Sequence, residues 1–194
     1  MLVVCIASGP SLTQEQVNSI PDGTTVICVN DNYRLYPKCQ HVFAADSKWW
    51  RRYHEDVIST VSPSCRLHTT YKATPRWERV EGWYTHKTPS NIGKSMFHGG
   101  NSGLLAVELA RVLGATKIVL IGYDCKKTNK AHWFGDHPEG FRNADGIDEW
   151  IVNFNHLDKA YKELGIDLVN CSLDTALTIR RSTLEKELEN SMCI

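Results

Sequence analysis

No stretch of this 194-residue sequence approaches the roughly 20 consecutive apolar residues that cross a bilayer. The apolar run at its start, residues 2–7, has no basic flank and is too short for a secretory leader. Neither sign of charge is in surplus: Lys and Arg total 22, Asp and Glu total 22, and the net charge is zero. A general nucleic-acid binder needs a basic surplus to neutralise phosphates, so that class is set aside. A paired-cysteine framework is missing as well. The seven cysteines are odd in number, and no CxxC pair occurs. Cys5, Cys28, Cys125 and Cys171 lie in or at the end of apolar runs, where a thiol acts as a small buried hydrophobe. That usage suits a reducing compartment, and the cytoplasm is the expected location. No internal repeat, low-complexity tract or linker divides the chain, and nothing in the pattern fixes an oligomeric state.

What is present is an ordinary globular composition, 42% hydrophobic and 23% charged, at a length suited to one domain spanning 1–194. The apolar runs 1–7, 24–29, 117–122 and 167–171, with the shorter 41–45, read as strands covered on both faces, as in a parallel sheet. Helices are expected between them. Thr13 and Gln16 have capping-box spacing at the head of a short helix ending near Ile20. Residues 47–60 follow as a second. Residues 104–113 form a helix apolar nearly all round, stopped by Gly114. Ile147, Trp150, Ile151, Phe154, Leu157, Tyr161 and Leu164 recur at threes and fours, and Gly165 ends that helix. A charged helix over 182–190 closes the chain. Residues 62–99 contain Pro63, Pro75 and Pro89 and no clean period. They read as a flap-like insertion holding short strands near 65–70 and 79–84. The expected class is therefore α/β: a Rossmann-like, mostly parallel sheet with helices on both faces.

Three successive strands end in small polar residues, at Ser8-Gly9-Pro10-Ser11, at Asn30-Asp31 and at Asp46. Open α/β sheets bind ligands outside the carboxyl ends of their strands. Gly9 allows close backbone approach to a ligand, and a following helix offers free N–H groups to phosphate. An ordinary strand-to-helix turn would look the same. The GxGxxG fingerprint is absent, which sets a dinucleotide cofactor aside. Asn30 and Asp31 suit a ribose or a base, or simply a turn. Asp46 is equally a helix N-cap. Gly99-Gly100-Asn101-Ser102-Gly103 is the second phosphate candidate, at the head of the most apolar helix. Asp124, after the 117–122 strand, suits a sugar hydroxyl or a magnesium ion. His137, with Asp136 beside it, is the candidate general base, and His132 in the same loop is its rival. Their spacing is not that of helical zinc ligands, and no metal is assigned. Trp49, Trp50, Trp77 and Trp83 read as packing rather than stacking platforms for bases.

These residues resemble a known family. Val3-Val4-Cys5-Ile6-Ala7-Ser8-Gly9-Pro10-Ser11-Leu12 is similar to the first strand and loop of bacterial lipooligosaccharide sialyltransferases. Val26 to Asn30 resembles their second strand, and Cys39 to Phe43 their third. Asn101-Ser102-Gly103 with the apolar helix and Gly114 to Asp124 is the most telling match, and Asn170 to Leu177 fits a segment near their C-terminus. Archaeal-type 6-hydroxymethylpterin diphosphokinases and related proteins, some phage-encoded, share the landmarks. The resemblance implies a cytidine nucleotide sugar held by Ser8, Gly9, Ser11, Asn30, Asn101, Ser102 and Gly103, with His137 as base. The loop departs from the family in its first glycine, which is Ala7 or absent depending on register, and the chain is shorter.

Three functions follow as expectations. The first is a glycosyltransferase using a nucleotide sugar and a small-molecule or glycan acceptor, with no obligatory metal. Backbone N–H groups from Gly9 to Leu12 and at Ser102 and Gly103 would hold the departing phosphate. The second is Mg2+-dependent diphosphate transfer from ATP to a heterocyclic alcohol, with Asp46 and Asp124 as metal ligands. The third is a non-catalytic nucleotide-binding or sequestering protein.

Overall fold

Strand β1 (Leu2–Ile6) carries no charged or hydrogen-bonding side chain that must reach water, and Val3 to Ile6 are fully buried. Such a segment is stable only between two apolar layers. The computed structural model, which describes residues 1–70, 77–141, 143 and 145–192, places it in the interior of a seven-stranded sheet. β2 (Thr25–Val29), β3 (His41–Phe43), β4 (Arg66–Thr70) and β5 (Val80–Trp83) continue to one side of β1. β8 (Lys117–Ile121) and β9 (Asp167–Asn170) lie on the other, giving the order β5-β4-β3-β2-β1-β8-β9. Every pairing is parallel, with Val4 opposite Val26 on one flank and Val119 on the other.

The two-residue side-chain period of the strands divides the core. Val4, Ile6, Val26, Cys28, Val119 and Ile121 face one layer. There they meet α1 (Gln14–Asn18), α2 (Ser47–Thr60) and α5 (Leu184–Met192) through Val17, Trp49, Trp50, Val57 and Leu188. Val3, Cys5, Ile27, Ile118 and Leu120 face the other layer. There α3 (Ser102–Val112) and α4 (Ile147–Glu163) supply Leu104 to Ala110, Phe154, Leu157 and Tyr161. Trp49 and Trp50 are packing residues, as the sequence suggested.

Residues 62–99 contribute two strands to the main sheet rather than projecting as a flap throughout. β5 is half-exposed because it is an edge strand, and its partner ladder exists on one side only. After it, β6 (Thr85–His86) and β7 (Met96–Phe97) pair as a separate two-stranded ribbon. Met96 and Phe97 are buried among the α3 residues, and the Phe97 N–H donates to buried Glu108 at 2.7 Å. Pro75 and Cys193 lie outside the described residues. Among those described, no helix is long and apolar enough to cross a membrane.

β1 is where the chain order reverses: β2 leads off on one side and β8 on the other. A cleft opens at such a switch point, outside the carboxyl ends of the strands.

Candidate functional site

The loop after β1 is held by its own chain. The Gly9 N–H donates to the Gly122 carbonyl at 2.8 Å, and the Leu12 N–H to the Gly9 carbonyl at 3.1 Å. The Ser11 N–H and hydroxyl each donate to Asp124, both at 2.7 Å. Pro10 has no N–H. The expectation that backbone donors from Gly9 to Leu12 would hold a phosphate is therefore corrected: those groups are already bonded. α1 adds little, having five residues and a Thr13 N-cap that accepts from Gln16 N–H. The reason for glycine at position 9 also changes. A Cβ there would lie 2.3 Å from Asp124 Oδ1 and 2.5 Å from the Gly122 carbonyl oxygen, so protein rather than ligand forbids a side chain.

The other strand ends divide in the same way. Asn30 takes a left-handed backbone, φ 50°, where β2 turns into a 3₁₀ segment, and it faces the cleft. Asp31 is turned away; its carboxylate accepts from Trp49 Nε1 at 2.9 Å. Asp46 caps α2, accepting from the Lys48 N–H at 2.7 Å, while still lining the cleft. Asn101 caps α3 through the Leu104 N–H at 2.8 Å, and the Ser102 hydroxyl accepts from the Ala45 N–H at 3.0 Å. Among the described residues, that leaves the N–H groups of Ser102 and Gly103 as uncommitted donors at the positive end of an 11-residue helix.

The cleft has two connected chambers. The inner one, about 110 Å³, is bounded by Ser8, Gly9, Pro10, Gly103, Asp124 and Lys126. The outer one, about 700 Å³, is bounded by Asp46, His98, His137, Phe141 and Glu149. Asn30, Asn101, Ser102, His132 and Trp150 belong to both and mark the junction. Of the residues singled out in the sequence, Ser11, Asp31 and Asp136 line neither chamber.

The two carboxylates that a magnesium-dependent reaction would recruit do not form a free pair. Asp124 is bound twice by Ser11, and burial holds its carboxyl above the ordinary value. Asp46 caps a helix. Among the described residues, no cluster of three or more His, Cys, Asp or Glu side chains could hold a metal ion.

The loop carrying the histidines is pinned to the strand ends by residues the sequence did not single out. The Trp133 N–H donates to the Ser8 carbonyl at 3.0 Å, and Trp133 Nε1 donates to Asn32 Oδ1 at 2.9 Å. Asn32, fully buried, donates in turn to the Ile6 and Val29 carbonyls. Nothing in the sequence pairs Trp133 with Asn32, which lie 101 positions apart. His132 Nδ1 lies 3.1 Å from Ser8 Oγ, and the rings of His132 and His137 are 4.4 Å apart. Burial lowers the pKa of His137, while Asp31, Asp136 and Asp46 pull it back up, in that order. Asp136 itself is exposed and accepts from the Ala131 N–H at 3.3 Å. Burial, with His137 alongside, brings His132 to about 4. A neutral imidazole beside a cleft can accept a proton.

No family model matches this sequence, and no curated protein does. Solved structures match in fold. The sialyltransferase CST-II in complex with a trisaccharide acceptor and CMP has a TM-score of 0.55 at 17% identity, over 88% of this chain and 80% of that one. CstII from Campylobacter jejuni in complex with a substrate analogue, cytidine-5′-monophosphate, has a TM-score of 0.60 at 17% identity, over 94% of this chain and 84% of that one. The α/β fold is shared across most of each chain.

Proposed function

We propose that this chain is a transferase that takes a cytidine-type nucleotide sugar and a hydroxyl-bearing acceptor, a glycan or a small molecule, in the cleft that the two chambers form together, with the nucleotide phosphate at their junction. The observation that carries the proposal is the junction, where the chambers meet beside two histidines and the head of α3. The fold likeness supports it, since both similar structures are complexes with CMP and one also holds a trisaccharide acceptor. In the reaction, His137 takes the proton of the acceptor hydroxyl. The oxygen attacks the sugar carbon, and the bond from that carbon to the phosphate oxygen breaks. The electron pair leaves with the nucleotide, toward the Ser102 and Gly103 N–H groups. No divalent metal is required by this sequence of steps.

A thermal-shift series with CMP, UMP, AMP and ATP, with and without magnesium, tests the proposal. CMP should raise the melting temperature without magnesium, by about 2.7 kcal/mol of stabilisation at a hundredfold excess over its Kd. Stabilisation by ATP and magnesium alone would instead select diphosphate transfer. CMP binding with a His137→Ala variant that keeps its full biological effect would select a non-catalytic nucleotide-binding protein.

A further inference from the structure

One nitrogen at the junction has no partner. His132 Nδ1 is 3.1 Å from Ser8 Oγ, whereas His132 Nε2 is closed off from water and unbonded among the described residues. Buried polar atoms are nearly always bonded, so an exception needs a reason. We propose that His132 Nε2 carries a proton and donates it in a hydrogen bond to a phosphate oxygen of the bound nucleotide. The inference rests on the nucleotide reading of the cleft and adds a residue to it.

Ser8 Oγ and His132 Nδ1, 3.1 Å apart, can each donate to the other; the proposed tautomer has the Ser8 hydroxyl donating. With Nδ1 accepting, the single proton of a neutral imidazole lies on Nε2. Burial, which brings the ring to about 4, keeps it neutral at physiological pH. Placement gives the class of ligand atom. His132 lines both chambers, and the inner one is also lined by Ser102 and Gly103 at the positive end of α3, while Lys126 in the same wall is paired with Asp174. Donors and positive potential on one chamber favour an anionic oxygen over a neutral hydroxyl. Asp124, the carboxylate in the same wall, already accepts twice from Ser11.

The ring packs against Phe134, with centroids 5.0 Å apart, and against His137. Because Nε2 is closed off, a ligand reaches it only when this aromatic trio shifts. Donor binding then moves the ring next to the proposed base. During transfer the breaking bond leaves its electron pair on the phosphate oxygen, and the Nε2–H bond stabilises that charge without giving up the proton.

Nitrogen-15 NMR of histidine-labelled protein, titrated with CMP and separately with cytidine, tests this. The free protein should show the Nε2–H tautomer at His132. CMP should move the Nε2 signal, and cytidine, which has no phosphate, should not. A His132→Phe variant keeps the ring stack and removes both nitrogens. By calorimetry its affinity for CMP should fall about tenfold or more, while its affinity for cytidine holds. An Nδ1–H tautomer in the wild-type protein, or CMP binding that leaves Nε2 unmoved, overturns the role of His132 and leaves the nucleotide reading standing. Equal losses for CMP and cytidine in His132→Phe do the same. If neither CMP nor cytidine binds the wild-type protein, the nucleotide reading falls and this inference falls with it. Should His132→Phe not fold, the wild-type tautomer and titration decide alone.

Discussion

Two histidine pairs in this molecule share one electrostatic property and differ in another. His41 and His68 sit on adjacent strands with ring nitrogens 3.0 Å apart, and His68 Nδ1 also accepts from Trp83 Nε1 at 3.1 Å. His132 and His137 sit in the loop after β8, ring against ring, with no hydrogen bond between them among those described and one nitrogen orphaned. Burial is the main cause that lowers all four pKa values. Depressed basicity therefore does not tell a working histidine from a structural one. Bonding does: the first pair closes on itself inside the sheet edge, and the second faces a cleft with capacity left over.

The largest expected effect separates the pairs by rate. His137→Ala should slow transfer by about 10²–10⁴-fold, with the melting temperature and CMP affinity little changed. The wild-type rate should rise with pH through a single group titrating below the ordinary histidine value of about 6.5, because burial lowers His137. Rates measured from pH 4.5 to 8 check both points. A rate unaffected by His137→Ala would remove it as base.

His68→Ala should act on stability instead. It empties a fully buried site, strips Trp83 Nε1 of its acceptor and leaves His41 without its neighbour. A loss of about 2–4 kcal/mol in urea unfolding is expected, with CMP affinity per folded molecule unchanged. Loss of CMP binding at full stability would break the distinction between the pairs.

Acid should expose what the pairs share. In the folded chain His41 is brought to about 4, His68 to about 3 and His132 to about 4, against about 6.5 when unfolded. The unfolded chain takes up protons first, so stability is complete above about pH 6.5 and falls as pH drops toward 4 and then 3. Each such histidine contributes up to about 1.4 kcal/mol per pH unit across that window. Replacing His41 and His68 together should flatten the fall in unfolding free energy between pH 6.5 and 4.5 more than His132→Phe does. The reverse ranking would mean that the loop pair, not the sheet pair, governs acid stability.

The sequence disclosed the frame better than the bonding. β1, β2 and β8 are legible because strands covered on both faces must be apolar throughout. The turn residues that interrupt those runs mark the cleft for the same reason. The short strands expected near 65–70 and 79–84 are β4 and β5, although edge strand β5 carries Glu81 and Gly82; the two-residue strands β6 and β7 carry no such mark. Gly9 was legible as an obligatory glycine but not for the right cause. The Asp124 carboxylate that excludes a side chain there is 115 residues away and arrives only because β8 pairs with β1. His132 and His137 look alike in sequence; the contact with Ser8, the unbonded Nε2 and a place in both chambers set His132 apart.

The smallest expected effect probes how the second pair is held. Trp133 ties the histidine loop to β1 through the Ser8 carbonyl and to β2 through Asn32. Trp133→Phe keeps the aromatic packing and the backbone bond but removes the Nε1 donor, leaving buried Asn32 Oδ1 unpaired. Stability should drop by about 1 kcal/mol. Because the same bond fixes where the loop sits, the transfer rate should also fall, by about three- to tenfold, while the pH midpoint stays in place. A changed midpoint would mean that Trp133 alters the basicity of His137 rather than its position. An unchanged rate would mean that the Ser8 contacts alone hold the loop. Asn32→Asp separates the two bonds further: it keeps the acceptor for Trp133 but loses the donor to the Ile6 and Val29 carbonyls. If loop position is what matters, Asn32→Asp should cost stability more than rate, and Trp133→Phe the reverse.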